Sequence, residues 1–205
     1  MSSALERELK YRLSDAQELE AIRNDPLWSQ LALAAWDSRQ LRSAYYDTAS
    51  GLLTASGIAL RLRQISSEVL LTCKYASQVS GALHVRNEDE LFLDAAPRSP
   101  QEIPWQLLPC AAMIAATIGK EPLQLTAASD FKRDRLDFTW QHSRLELALD
   151  VGELQHQQKS VPLCELEIEL KEGSTAILAE LDDYLRQRYQ LVAESLSKLE
   201  RALLL

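Results

Sequence analysis

The stretch ALERELKYRL, residues 4–13, places Glu6, Glu8 and Lys10 at every second position, with Leu5 and Leu9 in the opposite phase. In a β-strand successive side chains point to opposite faces, so the three charges share one face and the leucines share the other. A half-buried strand normally turns its charged face to water. The pattern recurs along the chain. Arg61 and Arg63 alternate with Leu60 and Leu62; Lys74 is in phase with Thr72, against Leu71 and Cys73; and Arg86, Glu88 and Glu90 share a face. So do Arg133 and Arg135. Glu146 and Asp150 alternate with Leu145, Leu147 and Leu149, and Glu165, Glu167 and Glu169 alternate with Leu166, Ile168 and Leu170.

A solvated sheet face has no reason to sort its charges by strand. Here ERELK and CELEIEL are acid-rich, whereas ALRLR and FKRDR are basic at their in-phase positions. Like charges along one strand repel mildly. The few helices also need an apolar surface to pack on, and the leucine faces supply one. The charged faces then turn toward one another. An antiparallel barrel of about eight strands satisfies these demands, because closure removes the edges and interior positions alternate with exterior ones. The expected fold is therefore α+β, an eight-stranded antiparallel tunnel with helices packed outside, over one domain spanning residues 1–205. A charged interior is costly to desolvate unless a charged ligand occupies it. Arg and Lys suit an anion rich in oxygens, and clustered carboxylates suit a hard divalent cation, Mg²⁺ or Mn²⁺. Together they point to a metal–polyphosphate complex.

Outside the strands, SDAQELEAIRNDP reads as a helix with Ser14 and Gln17 at capping-box spacing and Pro26 at its end. A short helical turn follows in LWSQLALAA. RQLRSAYYDT and GIALRLRQ are joined by a loop containing Gly51 and Gly57, and EVLLTCKY follows closely enough for a hairpin. ALHVRNEDELFL is the next strand. Pro97, Pro100, Pro104 and Pro109 bracket a loop before the helical CAAMIAATIG. Three strands follow: LQLTAASDFKRDRLDFTW, long enough to bend or bulge, then RLELALDVGEL and PLCELEIELKEG. Two helices, STAILAELDDYLRQRY and SLSKLERALLL, finish the chain.

The 205 residues are 46% hydrophobic and 25% charged, which fits a globular protein with a sizeable core. No apolar run reaches membrane-spanning length and no signal segment opens the chain, so neither membrane nor export is expected. A net charge of −8 argues against generic nucleic-acid binding. Cys73, Cys110 and Cys164 form no C-x-x-C pair, which suits a reducing, cytoplasmic setting, with Cys73 and Cys164 as core packing. His84 is in phase with Arg86 and is read as a polar neighbour of the tunnel; His142 is read as solvated in a turn, and His156 between strands receives no role. Tyr45 and Tyr46 are read as packing. Lys132 and Arg7 are out of phase and stay outside. The four tryptophans form no stacking platform. The sequence does not define an oligomeric state.

ERELK resembles the E-x-E-x-K signature of the CYTH superfamily, the triphosphate tunnel metalloenzymes. YYDTASGLLTASGIALRLR resembles that family's second block, in which an aromatic-Asp-Thr strand leads to paired arginines. LTCKYASQVSGALHVRNEDE is similar to the third, a lysine followed by R-x-E-x-E. LALDVGEL and CELEIELKEG are similar to the late Asp-Gly and E-x-E-x-E strands, and SLSKLERAL to the C-terminal Ser-Lys segment. The blocks run in order over nearly the whole chain, and GALH-R looks most like the bacterial inorganic triphosphatases. In many of those a helical polyphosphate-associated domain follows. Here the chain stops before one, as a stand-alone form or as the catalytic part of a longer protein.

The resemblance implies an eight-stranded tunnel that hydrolyses inorganic triphosphate to diphosphate and phosphate with a divalent metal. Its implied metal ligands are Glu6, Glu8, Glu165 and Glu167, with Glu169 a further candidate nearer the strand end. Its implied triphosphate grip is Lys10, Arg61, Arg63, Lys74, Arg86, Arg133 and Arg135, with Lys198 closing one end. Catalysis falls to Glu6, Glu8, Lys10, Lys74 and Glu167, and Glu88, Glu90 and Asp150 orient the bases or bind a second metal. Two other readings stay open: a hydrolase or cyclase acting on an organic triphosphate such as thiamine triphosphate or ATP, and a non-catalytic polyphosphate-binding module. The full set of acids favours catalysis, because anion binding alone needs only bases.

Overall fold

The computed structural model describes residues 2–205. Eight strands form the barrel: β1 (Ser2–Arg12), β2 (Asp37–Thr48), β3 (Ala59–Ile65), β4 (Glu68–Ser80), β5 (Leu83–Leu93), β6 (Leu123–Trp140), β7 (Ser143–His156) and β8 (Lys159–Glu172). They are ordered β5-β4-β3-β2-β6-β7-β8-β1, and β1 pairs back onto β5, so the sheet closes. Every pairing is antiparallel. A two-residue strand, β9 (Val192–Ala193), continues the β5 side of β1 beside Tyr11 and Arg12. The expected tunnel is thus present, with one small strand more than the sequence suggests.

Helices α1 (Ala16–Arg23), α2 (Pro26–Leu31), α3 (Leu52–Ala55), α4 (Ala111–Ile118), α5 (Ile177–Tyr189) and α6 (Lys198–Leu203) complete the fold. Three apolar clusters hold them. One joins Leu9, Leu147, Leu149, Leu166 and Ile168, on the outer wall, to Leu19, Ile22, Leu181 and Leu185 of α1 and α5. The second packs Leu60, Leu62, Leu71 and Cys73 against Leu53, Ile114 and Ile118 of α3 and α4. The third lies inside one end of the barrel, where Leu199 and Ala202 of α6 meet Leu41, Tyr45 and Phe131. Burying each such side chain contributes roughly 1.5–3 kcal/mol. The wall leucines therefore fix which strand face is outside. Leu5 departs from this: it is 44% exposed and belongs to none of these clusters. No helix among the described residues is long and apolar enough to cross a membrane.

Several local readings shift. The cap of α1 is Asp15, one residue later than expected: its carboxylate accepts from the N–H groups of Gln17 and Glu18, while Glu18 accepts from Ser14 N–H. Pro26 opens α2 at its first turn, where the missing N–H is harmless, instead of closing α1. The Gly51–Gly57 loop holds one helical turn, α3, organised by Asp47, which accepts from the N–H groups of Thr48, Leu53 and Thr54 at 2.7–2.9 Å. The long β6 does bulge, its register against β2 skipping Thr126 between Tyr45 and Tyr46. Cys73 is fully buried, but Cys164 is only half-buried, its thiol 3.1 Å from Asp15 O. His156 ends β7, with Nδ1 2.7 Å from Thr126 O, instead of lying between strands.

Gly152 is the close approach on which the interior depends. It faces Phe131 across the β6–β7 ladder, and a Cβ there would lie 2.2 Å from Asp130 O and 2.5 Å from Phe131 Cα. Only glycine lets the two strands meet at this distance, with the Phe131 ring seated under Arg63, Arg133 and Lys198 at 5.1–5.8 Å.

Candidate active site

The interior phase of the strands lines a cavity of about 360 Å³. From β1 come Glu6, Glu8 and Lys10; from β3, Arg61 and Arg63; from β4, Lys74; from β5, Arg86, Glu88 and Glu90. Arg133 and Arg135 enter from β6, Glu167 and Glu169 from β8, and Lys198 from α6. Asp150 and Glu165 face the same interior at the end covered by α6, fully buried and behind the cavity wall. Period-two alternation is what converges them, because each strand contributes every second residue.

Most of these charges are already paired. Glu6 accepts from Lys74 at 2.8 Å and from Arg86 Nε at 2.6 Å. Burial alone would raise its pKa, but these two cations hold the Glu6 carboxyl far below the usual range. Arg86 also pairs with Glu8, and Lys10 bridges Glu8 at 3.3 Å and Glu167 at 3.1 Å. Arg133 forks onto Asp150 at 2.7 Å through both nitrogens and reaches Glu167 at 2.5 Å. Lys74 meets Glu88 at 3.0 Å, and Arg135 meets Glu146 at 3.0 Å. Such desolvated pairs hold their geometry while adding little net stability.

The two ends of this arrangement are not neutralised alike. Arg61 and Arg63 are each 8% exposed. Their hydrogen bonds go to hydroxyls, Arg61 to Thr72 at 3.2 Å and Arg63 to Ser43 at 3.1 Å. Glu88 lies 3.9 Å from Arg61, Arg61 Nε is buried without a partner, and Arg63 makes no ion pair among the described residues. Burial, reinforced by Arg61 and Arg133, pushes the Arg63 guanidinium down to about 9. On the opposite wall burial pushes the Glu169 carboxyl up to about 7; Lys171 opposes the rise and Glu6 adds to it. The Arg61–Arg63 wall therefore has cationic capacity to spare, whereas Glu169 on the other is paired with Lys171 at 2.5 Å.

At the covered end, Asp150, Glu165 and Glu167 each bring an oxygen within 4.8 Å of the others. The Lys198 ammonium sits among them, 2.9 Å from Asp150, 3.0 Å from Glu167 and in contact with Glu165. The second Glu165 oxygen accepts from Arg201 at 2.7 Å. Both oxygens of Glu165 thus bond to α6, within a group of three carboxylates close enough to share a cation. His84 is buried, and its Nε2 donates to Glu194 O at 2.7 Å, tying down the segment before α6.

Three interior residues escaped the sequence reading. Tyr45 lines the cavity; burial would raise its hydroxyl, but Arg61, Arg63 and Lys198 hold it below its ordinary range. It carries no charge itself, so charge alternation does not pick it out. Lys171 lies in the right phase and was detectable by extending the count along β8, while Glu146, already counted with Asp150 in the charged phase, lines the cavity. Arg201 sits three residues after Lys198, on the same helix face. Arg7 and Lys132 are outside as expected, half-buried and exposed respectively. His142 lies in the β6–β7 turn at positive φ.

The sequence pattern of the CYTH domain matches residues 4–203. An inorganic triphosphatase from Haemophilus influenzae is 30% identical over 170 residues, covering 80% of this chain. The chain spans about half of that relative, 46% of its length. Among solved structures, a Hippeastrum protein described as having a dominant triphosphatase activity superposes with a TM-score of 0.70 at 19% identity, over 96% of this chain and 94% of that one. A Pyrococcus horikoshii protein superposes at 0.58 with 16% identity, over 97% and 98%. These two likenesses concern the fold.

Proposed function

The chain belongs to the CYTH domain family, and from that premise we propose that it hydrolyses inorganic triphosphate to diphosphate and phosphate inside the tunnel. The observation that carries this reading is the pair Arg61 and Arg63: buried cations facing the cavity, hydrogen-bonded only to hydroxyls, one with an orphan Nε–H. Buried polar groups are normally satisfied, and an anion of many oxygens satisfies these. The activity named for the Haemophilus influenzae relative agrees with it.

The acids fit a hard divalent cation, Mg²⁺ or Mn²⁺. Glu6, Glu8, Glu167 and Glu169 all offer carboxylate oxygen to the cavity. These four would hold the metal, which when bound supplies charge neutralisation on the phosphate oxygens. Glu165 lies behind the cavity wall, but with Asp150 and Glu167 it brings three carboxylate oxygens within 4.8 Å of one another and stays a candidate ligand at the covered end.

Phosphoryl transfer asks the protein for positioning and charge compensation more than for covalent chemistry. Arg61, Arg63, Arg133 and Lys198 gather round the cavity end nearest α6 and hold one part of the triphosphate there. Lys10, Lys74 and Arg86, now bound to Glu6, Glu8 and Glu88, turn part of their hydrogen bonding to the entering anion. Arg135 stands at the other end of the cavity with Glu146. Glu88, Glu90 and Asp150 keep the bases aligned between turnovers. Charge that builds on the bridging oxygen as the bond breaks is met by these fixed donors; losing one costs about 10²–10³ in rate.

The test is phosphate release from tripolyphosphate, ATP and thiamine triphosphate with Mg²⁺, Mn²⁺ or EDTA. Tripolyphosphate turnover that disappears in EDTA supports the reading, with Glu6→Gln and Glu167→Gln losing turnover and Arg61→Ala mainly raising KM. Preference for ATP or thiamine triphosphate moves the substrate to the organic class. Tight tripolyphosphate binding without turnover makes the chain a binding module and overturns the proposal.

A further inference from the structure

Lys198 reaches the tunnel from α6, a helix of six residues. A lysine on so short a helix holds a fixed position only if something else fixes the helix. Its ammonium shares three carboxylates, Asp150, Glu165 and Glu167. Of these, Glu165 is fully buried and gives its second oxygen to Arg201 at 2.7 Å. Arg201 is only 10% exposed and also approaches Glu194 at 3.6 Å. Glu194 in turn is held by Arg12 at 2.6 Å, and its backbone by Lys10 O and His84. Residues 198 and 201 lie on one helix face, so Arg201 and Lys198 address opposite oxygens of one carboxylate.

We infer that Arg201 is a positioning residue: by occupying one oxygen of Glu165 it keeps Lys198 centred on Asp150 and Glu167, where it meets substrate. Without Arg201, both Glu165 oxygens turn to the ammonium and draw it away from the other two carboxylates. The planar guanidinium fits this duty because its nitrogens are fixed relative to one another. This inference takes the tripolyphosphate reading above as its premise for the kinetic outcome, but the position of Lys198 can be read without any substrate.

Two measurements decide it. The first is the reactivity of Lys198 toward reductive dimethylation, followed by peptide mass spectrometry, in wild type, Arg201→Met, Arg201→Lys and Glu200→Ala. Glu200 closes the capping box at the start of α6 and faces away from the triad, so its loss loosens the helix without touching Glu165. Arg201→Met is expected to lower Lys198 reactivity at least fivefold, because the ammonium is drawn to the buried Glu165, Arg201→Lys to restore most of the reactivity, and Glu200→Ala to lower Tm with less than a twofold change. The second is the steady-state split on tripolyphosphate, where Arg201→Met is expected to raise KM five- to tenfold with kcat within twofold. Unchanged or increased Lys198 reactivity in Arg201→Met, or an equal fall in Glu200→Ala, overturns the inference. Wild type inactive on tripolyphosphate overturns the functional reading alone, and the reactivity series still decides the role of Arg201.

Discussion

Arg133 offers the most direct measurement of how the interior charges hold one another. Its guanidinium forks onto Asp150 with two bonds of 2.7 Å and touches Glu167 at 2.5 Å, and the Asp150 side chain is fully buried. Arg133→Met keeps most of the stem volume and removes the charge. Breaking a buried pair from one side costs about 3–5 kcal/mol. Lys198 remains 2.9 Å from Asp150, and Glu167 keeps Lys10 and Lys198, so the lower end, about 3 kcal/mol, is expected. With an m value of about 2 kcal/mol/M in urea, the unfolding midpoint falls by about 1.5 M. Asp150→Asn alone also destabilises, because it leaves Arg133 and Lys198 short of an anion. The double variant removes both sides of the fork, so it loses less than the sum of the singles, with a coupling of at least about 1 kcal/mol. Urea titrations followed by circular dichroism on the four proteins give the cycle. Additivity within about 0.5 kcal/mol would refute the argument, since it would mean that the fork transmits no energy between its partners.

Three other outcomes follow from the same geometry. Gly152→Ala drives a methyl into Asp130 O and Phe131, an overpacking that costs about 1–3 kcal/mol or more; a thermal melt unchanged from wild type would show that β6 and β7 can separate freely. Asp47→Ala removes a carboxylate that accepts from three buried or half-buried N–H groups; a loss of about 1–3 kcal/mol is expected, with amide exchange accelerated at residues 48–54 and little changed in the barrel. The Arg188 hydrogen bond, helped by those from Leu27 N–H and the Tyr189 hydroxyl, holds the Asp25 carboxyl at about 2 despite burial. A folded pKa below the unfolded value of about 3.9 stabilises fully above about pH 4 and is lost as pH falls toward 2. Urea midpoints at pH 5 and pH 2.5 should therefore drop less in Asp25→Asn than in wild type; equal drops would remove Asp25 from the acid response.

How far the site was legible depended on where its signal resided. Glu6, Glu8 and Lys10, or Arg61 and Arg63, betray their common face by alternation alone, because strand geometry has a period of two whatever the neighbours do. Tyr45 gave no such signal. It differs from Tyr46 only in strand phase, and the Thr126 bulge opposite sets the local register. Leu5 shows the converse: its phase matches that of Leu9, yet it stays 44% exposed outside the cluster that α1 and α5 form over Leu9, and where helices dock is not written in the strand's own phase. Glu165 shares a phase with Glu167, but α6 from the far end of the chain takes both its oxygens.

The sequence by itself determined that charged and apolar side chains occupy opposite faces of most strands, and hence that a closed sheet with a polar interior was the economical solution. That information is local, carried by neighbours two residues apart. Only the tertiary structure decided which cations are left without carboxylates and which acids are consumed by the chain itself. Pairing depends on the register between strands and on where α6 docks, and those are fixed by contacts between residues far apart in sequence, whose energies no local pattern records.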